Sequence, residues 1–334
     1  MASLLKKTHV FLLCAISPGG IFVSCNRQAE YVELTGSVWN TVYNIKYKGD
    51  PGLADSITAI MRDVELSLSP FNPNSVISRI NRNETDTVDN RVAYIFNLSK
   101  EINKVSHGAF DPTLSTLINL WGFGYEKELD IEPAQADIEE ALTKVGIAGC
   151  TLNEGTIRKK HPETTFNFSA VTKGYGCDEI AGMLRSNGVE DFMIEIGGEI
   201  ALGGVNDRGK PWRIMVETPE EGLTRSKTGV KTISLSNCGI ATSGNYRNYH
   251  DTANGRVGHT IDARTGYPVR ANVLSATVIA PTCARADALA TACMAMAPDS
   301  ALMMIEAADS TKCLLVVLNP ADSILYLHES PGFP

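Results

Sequence analysis

Helical and strand-like stretches follow one another along this chain without a regular strand–helix–strand alternation, and this order constrains its fold more than any other feature. A doubly wound parallel sheet needs that alternation, so the pattern points to an α+β protein. Val38 to Lys46 alternates as a strand, and Leu53 to Leu66 has a helical period. Pro70-Phe71-Asn72-Pro73 interrupts both regular patterns and reads as a loop. Arg91 to Val105 and Ala134 to Val145 read as helices, and Thr156 to Phe168 as a hairpin running into a buried strand. Gly174 to Ser186 is helical and stops at Asn187-Gly188. Phe192–Ile196, Trp212–Val216, Thr232–Leu235 and Ser275–Ile279 are strand candidates. Cys283 to Met296 is rich in Ala, Leu and Met and predicts a strong helix with Thr282 as its N-cap. A helix over Ser300–Ala308 and strands over Cys313–Leu318 and Ile324–Leu327 close the pattern.

The length of 334 residues suits one large domain or two intimate ones, and 43% hydrophobic residues provide a core of normal size. The net charge of −8, with no Lys/Arg stripe, argues against nucleic acid as a partner. Residues 1–25 differ from the rest. Lys6-Lys7 precede a short apolar run, Val10 to Ile16, too short to span a bilayer but suited to a secretory signal. Ser24-Cys25 resembles a lipobox, with Phe22 where Leu is usual, which predicts acylation of Cys25. The alternative is an ordinary cleaved signal. The expected organisation is therefore a signal peptide with lipobox over 1–25 and a catalytic domain over 31–330. Six cysteines remain beyond the leader, none in a C-x-x-C pair, and buried free thiols are the simple reading.

No G-x-G-x-x-G, Walker A or G-x-S-x-G motif is present. Polar residues are instead embedded in Gly-rich turns at separated places: His107 to Thr113, Asn119 to Gly124, Phe168 to Tyr175, Ile196 to Glu199, Ala241 to Tyr246, His259 to Pro268, and Ala286 to Ala292. Asp287 and Thr291 stand four apart on the predicted helix and share a face; a carboxylate and a hydroxyl are hard oxygen ligands suited to Mg²⁺. Taken alone, a capping Asp and a core Thr explain them as well. Asp111, before Pro112, is equally readable as a turn-former. Lys173 reads as a phosphate contact or a solvated lysine, and His259 as a base or a brace for the turn behind it.

These segments resemble, in order, the G-A-F-D-P-T, L-W-G-F-G, K-G-Y, I-G-G-E, T-S-G-x-Y, H-x-x-D-x-x-T-G-x-P and A-D-A-L-A-T-A patterns of the ApbE family of FAD:protein FMN transferases. The resemblance runs from about Trp39 to near the C-terminus. It implies two lobes with the nucleotide between them, FAD as substrate and Mg²⁺ as cofactor. It implies Asp287, Thr291 and the Ala170 carbonyl as metal ligands and His259 at the active site. Ala109, Phe110 and Asp111 are expected against the flavin nucleotide, with Trp39, Phe71, Asn167, Lys173 and Thr260 completing its site. Trp39 stands where the family often has Met, Phe71 where it often has Tyr, Asn167 where Asp is usual, and Ser169-Ala170 where Gly-Gly is frequent. The implied reaction moves FMN from FAD to a Thr or Ser hydroxyl of a client flavoprotein and releases AMP. Clients with a Ser/Thr-Gly-Ala-Thr-like acceptor, among them subunits of membrane redox complexes, are implied. So is a lipid anchor in the bacterial cell envelope, facing the periplasm. The alternatives are a Mg²⁺-dependent FAD pyrophosphatase and a non-catalytic FAD-binding lipoprotein.

Overall fold

The computed structural model describes residues 30–124, 132–216, 231–244, 249–252, 255–269, 272–319, 321–322 and 324–334. The leader with Cys25 lies outside these residues, as do Asn245 and Tyr246. The alternation expected over Val38–Lys46 resolves into a hairpin of β1 (Tyr31–Val38) and β2 (Thr41–Lys48). Its two-residue turn, Trp39-Asn40, has φ of 49° and 60°, as a tight hairpin turn requires. The chain continues through α1 (Ala54–Leu68), α2 (Val76–Asn81), α3 (Asn90–Val105), α4 (Ser115–Leu120) and α5 (Gln135–Thr143). A small hairpin, β3 (Thr151–Asn153) and β4 (Thr156–Arg158), precedes α6 (Ser169–Ser186). The strand expected towards Phe168 is absent: Phe166 and Phe168 are buried and stacked, but on irregular backbone. Asn81 supplies the hydrogen bonds there, its side chain accepting from Phe166 N–H and donating to the Phe166 carbonyl.

Next come β5 (Phe192–Ile196), β6 (Glu199–Gly203), β7 (Trp212–Val216), β8 (Lys231–Leu235), β9 (Gly239–Gly244), β10 (Tyr249–Thr252) and β11 (Gly255–Gly258). The last elements are β12 (Val273–Ala280), α7 (Cys283–Met294), α8 (Pro298–Glu306), β13 (Lys312–Asn319) and β14 (Ile324–Glu329). Eight strands form one sheet in the order β1-β2-β5-β6-β9-β12-β13-β14, with every neighbouring pair antiparallel. The architecture is α+β, as the element order implied.

The sheet is covered on both faces, so its central strands are apolar on both. Ala241 of β9 and Val278 of β12 face α7, Cys313 and Leu315 lie on β13, which packs on α8, and Phe192, Ile194 and Ile196 of β5 face α6. Ile240, Ile279 and Leu314 point the other way, against Trp212, Ile214, Ile233 and Leu235 of the β7–β8 hairpin. A separate small cluster, Leu114, Leu117, Trp121, Ile138, Ala141, Val145 and Ile261, holds α4 and α5 together as a second lobe. Among the described residues no helix is long and apolar enough to cross a membrane. Cys150, Cys177, Cys238, Cys283, Cys293 and Cys313 are free thiols.

Candidate active site

The two antiparallel helices at the centre come unusually close. A Cβ on Gly174 would stand 2.5 Å from the Cys283 carbonyl oxygen, so only glycine lets α6 lie on the start of α7. That approach puts Lys173 beside Asp287. Gly174 N–H, the donor an ideal helix pairs with the Ala170 carbonyl, donates to Asp287 Oδ2 at 3.1 Å. Asp287 is thus no cap of its own helix. Thr282 caps α7 through its hydroxyl, and Asp178 of α6 accepts from the N–H groups of Cys283 and Ala284 at 2.9 and 2.8 Å.

The β5–β6 hairpin turns through Gly197 and Gly198, with φ of 63° and 100°, a two-residue turn that only such residues accept readily. The turn returns Glu199 beneath Lys173, whose ammonium is 3.0 Å from Glu199 Oε1. Glu199 is 4% exposed, and its Oε2 is buried without a hydrogen-bond partner. Burial pushes the Glu199 carboxyl up to about 8, with Lys173 opposing and Asp287 adding to the shift. Burial likewise raises Asp287, against the pull of Lys173 and of Gly174 N–H. Burial alone would lower the Lys173 ammonium, but Asp287 and Glu199 outweigh it and push it up.

These groups border a cleft of about 410 Å³, a size suited to a nucleotide-like ligand. Phe71, Ala109, Phe110, Asp111, Asn167, Ala170, Lys173, His259, Thr260, Asp287 and Thr291 all line it. So do Leu114, Ile118 and Ile261 of the small lobe, which places the cleft between the two lobes. Phe71 is exposed on the rim, and His259 meets Phe123 edge to face with ring centres 6.4 Å apart. Thr291, one turn beyond Asp287, is 3.3 Å from Ser243 Oγ.

Trp39 is the exception: it is not among the lining residues. Its ring packs over α6 at Gly176, where a Cβ would meet it at 2.4 Å, and bridges two core clusters. Asp111 borders the cleft, but its carboxylate is engaged within the protein. It accepts from Thr113 N–H and Oγ1 at 2.9 and 2.5 Å, from Ile147 N–H at 3.1 Å, and from Asn103 Nδ2 at 3.3 Å. Asn167 holds the start of α6, accepting from Ser169 N–H. Asp262, three residues beyond His259, pairs with Arg264 and is absent from the lining. The Arg264 bonds hold its carboxyl below the usual range against the effect of burial.

No three His, Cys, Asp or Glu side chains converge on a metal position among the described residues. The donors at this cleft are instead a mixed oxygen set: the Asp287 carboxylate, which also accepts from Gly174 N–H, the Thr291 hydroxyl and the Ala170 carbonyl. Hard oxygens beside an unpaired buried carboxylate oxygen fit a hard divalent cation.

The ApbE family model matches residues 39–315. The chain belongs to the ApbE family. It is 36% identical over 304 residues to an FAD:protein FMN transferase of Vibrio cholerae, covering 88% of this chain and 90% of that one. It is 34% identical over 309 residues to the FAD:protein FMN transferase of Haemophilus influenzae, covering 88% and 89%. The solved flavin transferase ApbE of Vibrio cholerae superposes with a TM-score of 0.81 at 33% identity, over 91% of this chain and 98% of that one. Within this ApbE-family chain, sequence reasoning assigned no role to Glu199, Phe123 or Ser243, although each lies in a motif already visible. An acidic residue after Gly-Gly gives no sign of burial until the hairpin is folded.

Proposed function

We propose that this chain is a Mg²⁺-dependent FAD:protein FMN transferase, which moves the FMN half of FAD to a Thr or Ser hydroxyl of a target flavoprotein and releases AMP. The observation that supports it most is convergence. Residues from all seven Gly-rich segments meet at one cleft, with Lys173, Glu199 and Asp287 at its floor.

In this reading the acceptor hydroxyl oxygen bonds to the phosphorus on the FMN side. The bond from that phosphorus to the bridging oxygen breaks, and AMP leaves with the bridging oxygen. His259 takes the hydroxyl proton; imidazole is suited to that near neutral pH. Lys173, held in place by Glu199, faces the anionic pyrophosphate. Asp287, Thr291 and the Ala170 carbonyl would hold Mg²⁺, which when bound neutralises pyrophosphate charge. Phe71 on the rim offers a flat surface to an aromatic ring.

AMP release should require an acceptor domain and Mg²⁺ together, and chromatography of the nucleotides tests this. AMP and FMN accumulating equally with or without acceptor would favour the pyrophosphatase. At the other end of the chain, Lys6-Lys7, the apolar run and Ser24-Cys25 support acylation at Cys25 and a place in the cell envelope. Cys25→Ser should abolish membrane partitioning; continued partitioning, with no acyl mass on the wild type, would contradict the anchor.

A further inference from the structure

One buried oxygen at the cleft, Glu199 Oε2, has no role in that mechanism. Glu199, which lines the cleft, gives Oε1 to Lys173, while its Oε2 is buried without a hydrogen-bond partner. An unsatisfied buried carboxylate oxygen is costly, and a site keeps one where a ligand satisfies it. Asp287, a second buried carboxylate lining the cleft, accepts from Gly174 N–H through Oδ2. When both carboxylates are ionised, they outnumber the single Lys173 ammonium beside them. A neutral hydroxyl would satisfy the hydrogen bond but not the charge. A divalent cation satisfies both, and its net positive charge then suits a pyrophosphate.

We propose that Glu199 is a further oxygen of the cation site, its Oε2 meeting the divalent cation directly or through a bound water while its Oε1 keeps Lys173 aimed at the phosphates. This rests on the cation reading of Asp287 and Thr291. Glu199, Asp287, Thr291 and the Ala170 carbonyl would together hold the cation on the protein side, and the cation when bound would neutralise pyrophosphate charge. The Gly197-Gly198 turn is what makes this possible. It reverses the chain within two residues and delivers the carboxylate to the floor, which a longer loop would not hold as firmly.

The test is binding of Mn²⁺ alone, followed by electron paramagnetic resonance without FAD, on the full mature chain. Glu199→Gln keeps the shape and an oxygen for Lys173 but removes the charge. It should weaken Mn²⁺ about 10- to 100-fold, the range found for groups that tune a metal site, with FAD binding in the absence of metal little changed. Lys173→Met removes the ammonium that competes with the cation, and should leave Mn²⁺ affinity equal or tighter. Were Glu199 only a brace for Lys173, Glu199→Gln would bind Mn²⁺ like the wild type, which overturns the proposal; so would a marked loss in Lys173→Met. Asp287→Asn separates the two levels. If it alone loses Mn²⁺, the cation site stands and the Glu199 assignment falls. If Glu199→Gln loses Mn²⁺ and Asp287→Asn does not, Glu199 stands and the Asp287 reading falls. A wild type that takes up no Mn²⁺ overturns both.

Discussion

His259 and Asp111 show how differently two cleft-lining residues serve the site. His259 lies on the cleft wall against Phe123, and the proton-acceptor role proposed for it would be worth on the order of 10²–10⁴-fold. His259→Ala should therefore lower transfer by about that factor at saturating FAD, with little change in FAD affinity by fluorescence titration. Weak binding with normal turnover at saturation would make it a binding residue. Asp111 also reads from sequence as a cofactor contact, yet its carboxylate braces the loop between the lobes. Its removal orphans the buried N–H groups of Thr113 and Ile147. Asp111→Ala should cost about 2–4 kcal/mol in urea unfolding, and a change below 0.5 kcal/mol would contradict the brace. Sequence shows that an Asp precedes Pro112; it does not show where the oxygens point. Trp39 carries the same lesson in reverse, an aromatic at a motif position that the fold spends on covering Gly176.

Among the elements, those with one strong period were legible. The helices now bounded as α1, α3 and α7 and the strands β5 and β7 fall where periodicity put them, and Thr282 caps α7 as its hydroxyl suggested. The strands β6 and β9 were not, because each is short, begins or ends in glycine and looks like part of a turn. The close α6–α7 crossing was equally hidden, since Gly174 reads as a helix weakener until its neighbour is known. Gly174→Ala should destabilise the chain by about 1–3 kcal/mol and weaken FAD turnover, because the Cys283 carbonyl must retreat and Lys173 moves with it. Wild-type stability and kinetics in that variant would contradict the crossing. The start of α7 also carries a pH dependence. Burial pushes the Asp178 carboxyl from 3.8 up to about 6, although the N–H groups of Ala284 and Cys283 pull it down. The folded chain then binds that proton more tightly than the unfolded chain. The stability it contributes is full below about pH 4 and lost as pH rises through 6. Asp178→Asn should flatten the fall in unfolding free energy over that window by about 3 kcal/mol. Parallel wild-type and variant curves from urea denaturation at stepped pH would contradict it.

For the whole molecule, the absence of strand–helix alternation was enough to give α+β, and the ordered Gly-rich motifs were enough to gather nearly all of the cleft. What no local pattern carries is which strands lie side by side. The sheet pairs β2 with β5 and β9 with β12, contacts across long intervening segments, and it is this pairing that brings Glu199, Ser243 and Asp287 to one floor. Whether this floor transfers FMN to another protein, rather than only cleaving FAD, is read by intact-mass measurement of an acceptor domain incubated with the chain, FAD and Mg²⁺. One FMN-sized addition is expected, formed in step with AMP and absent when the acceptor threonine is replaced by alanine or when His259→Ala is used. An acceptor of unchanged mass while FAD is consumed to FMN and AMP would contradict it.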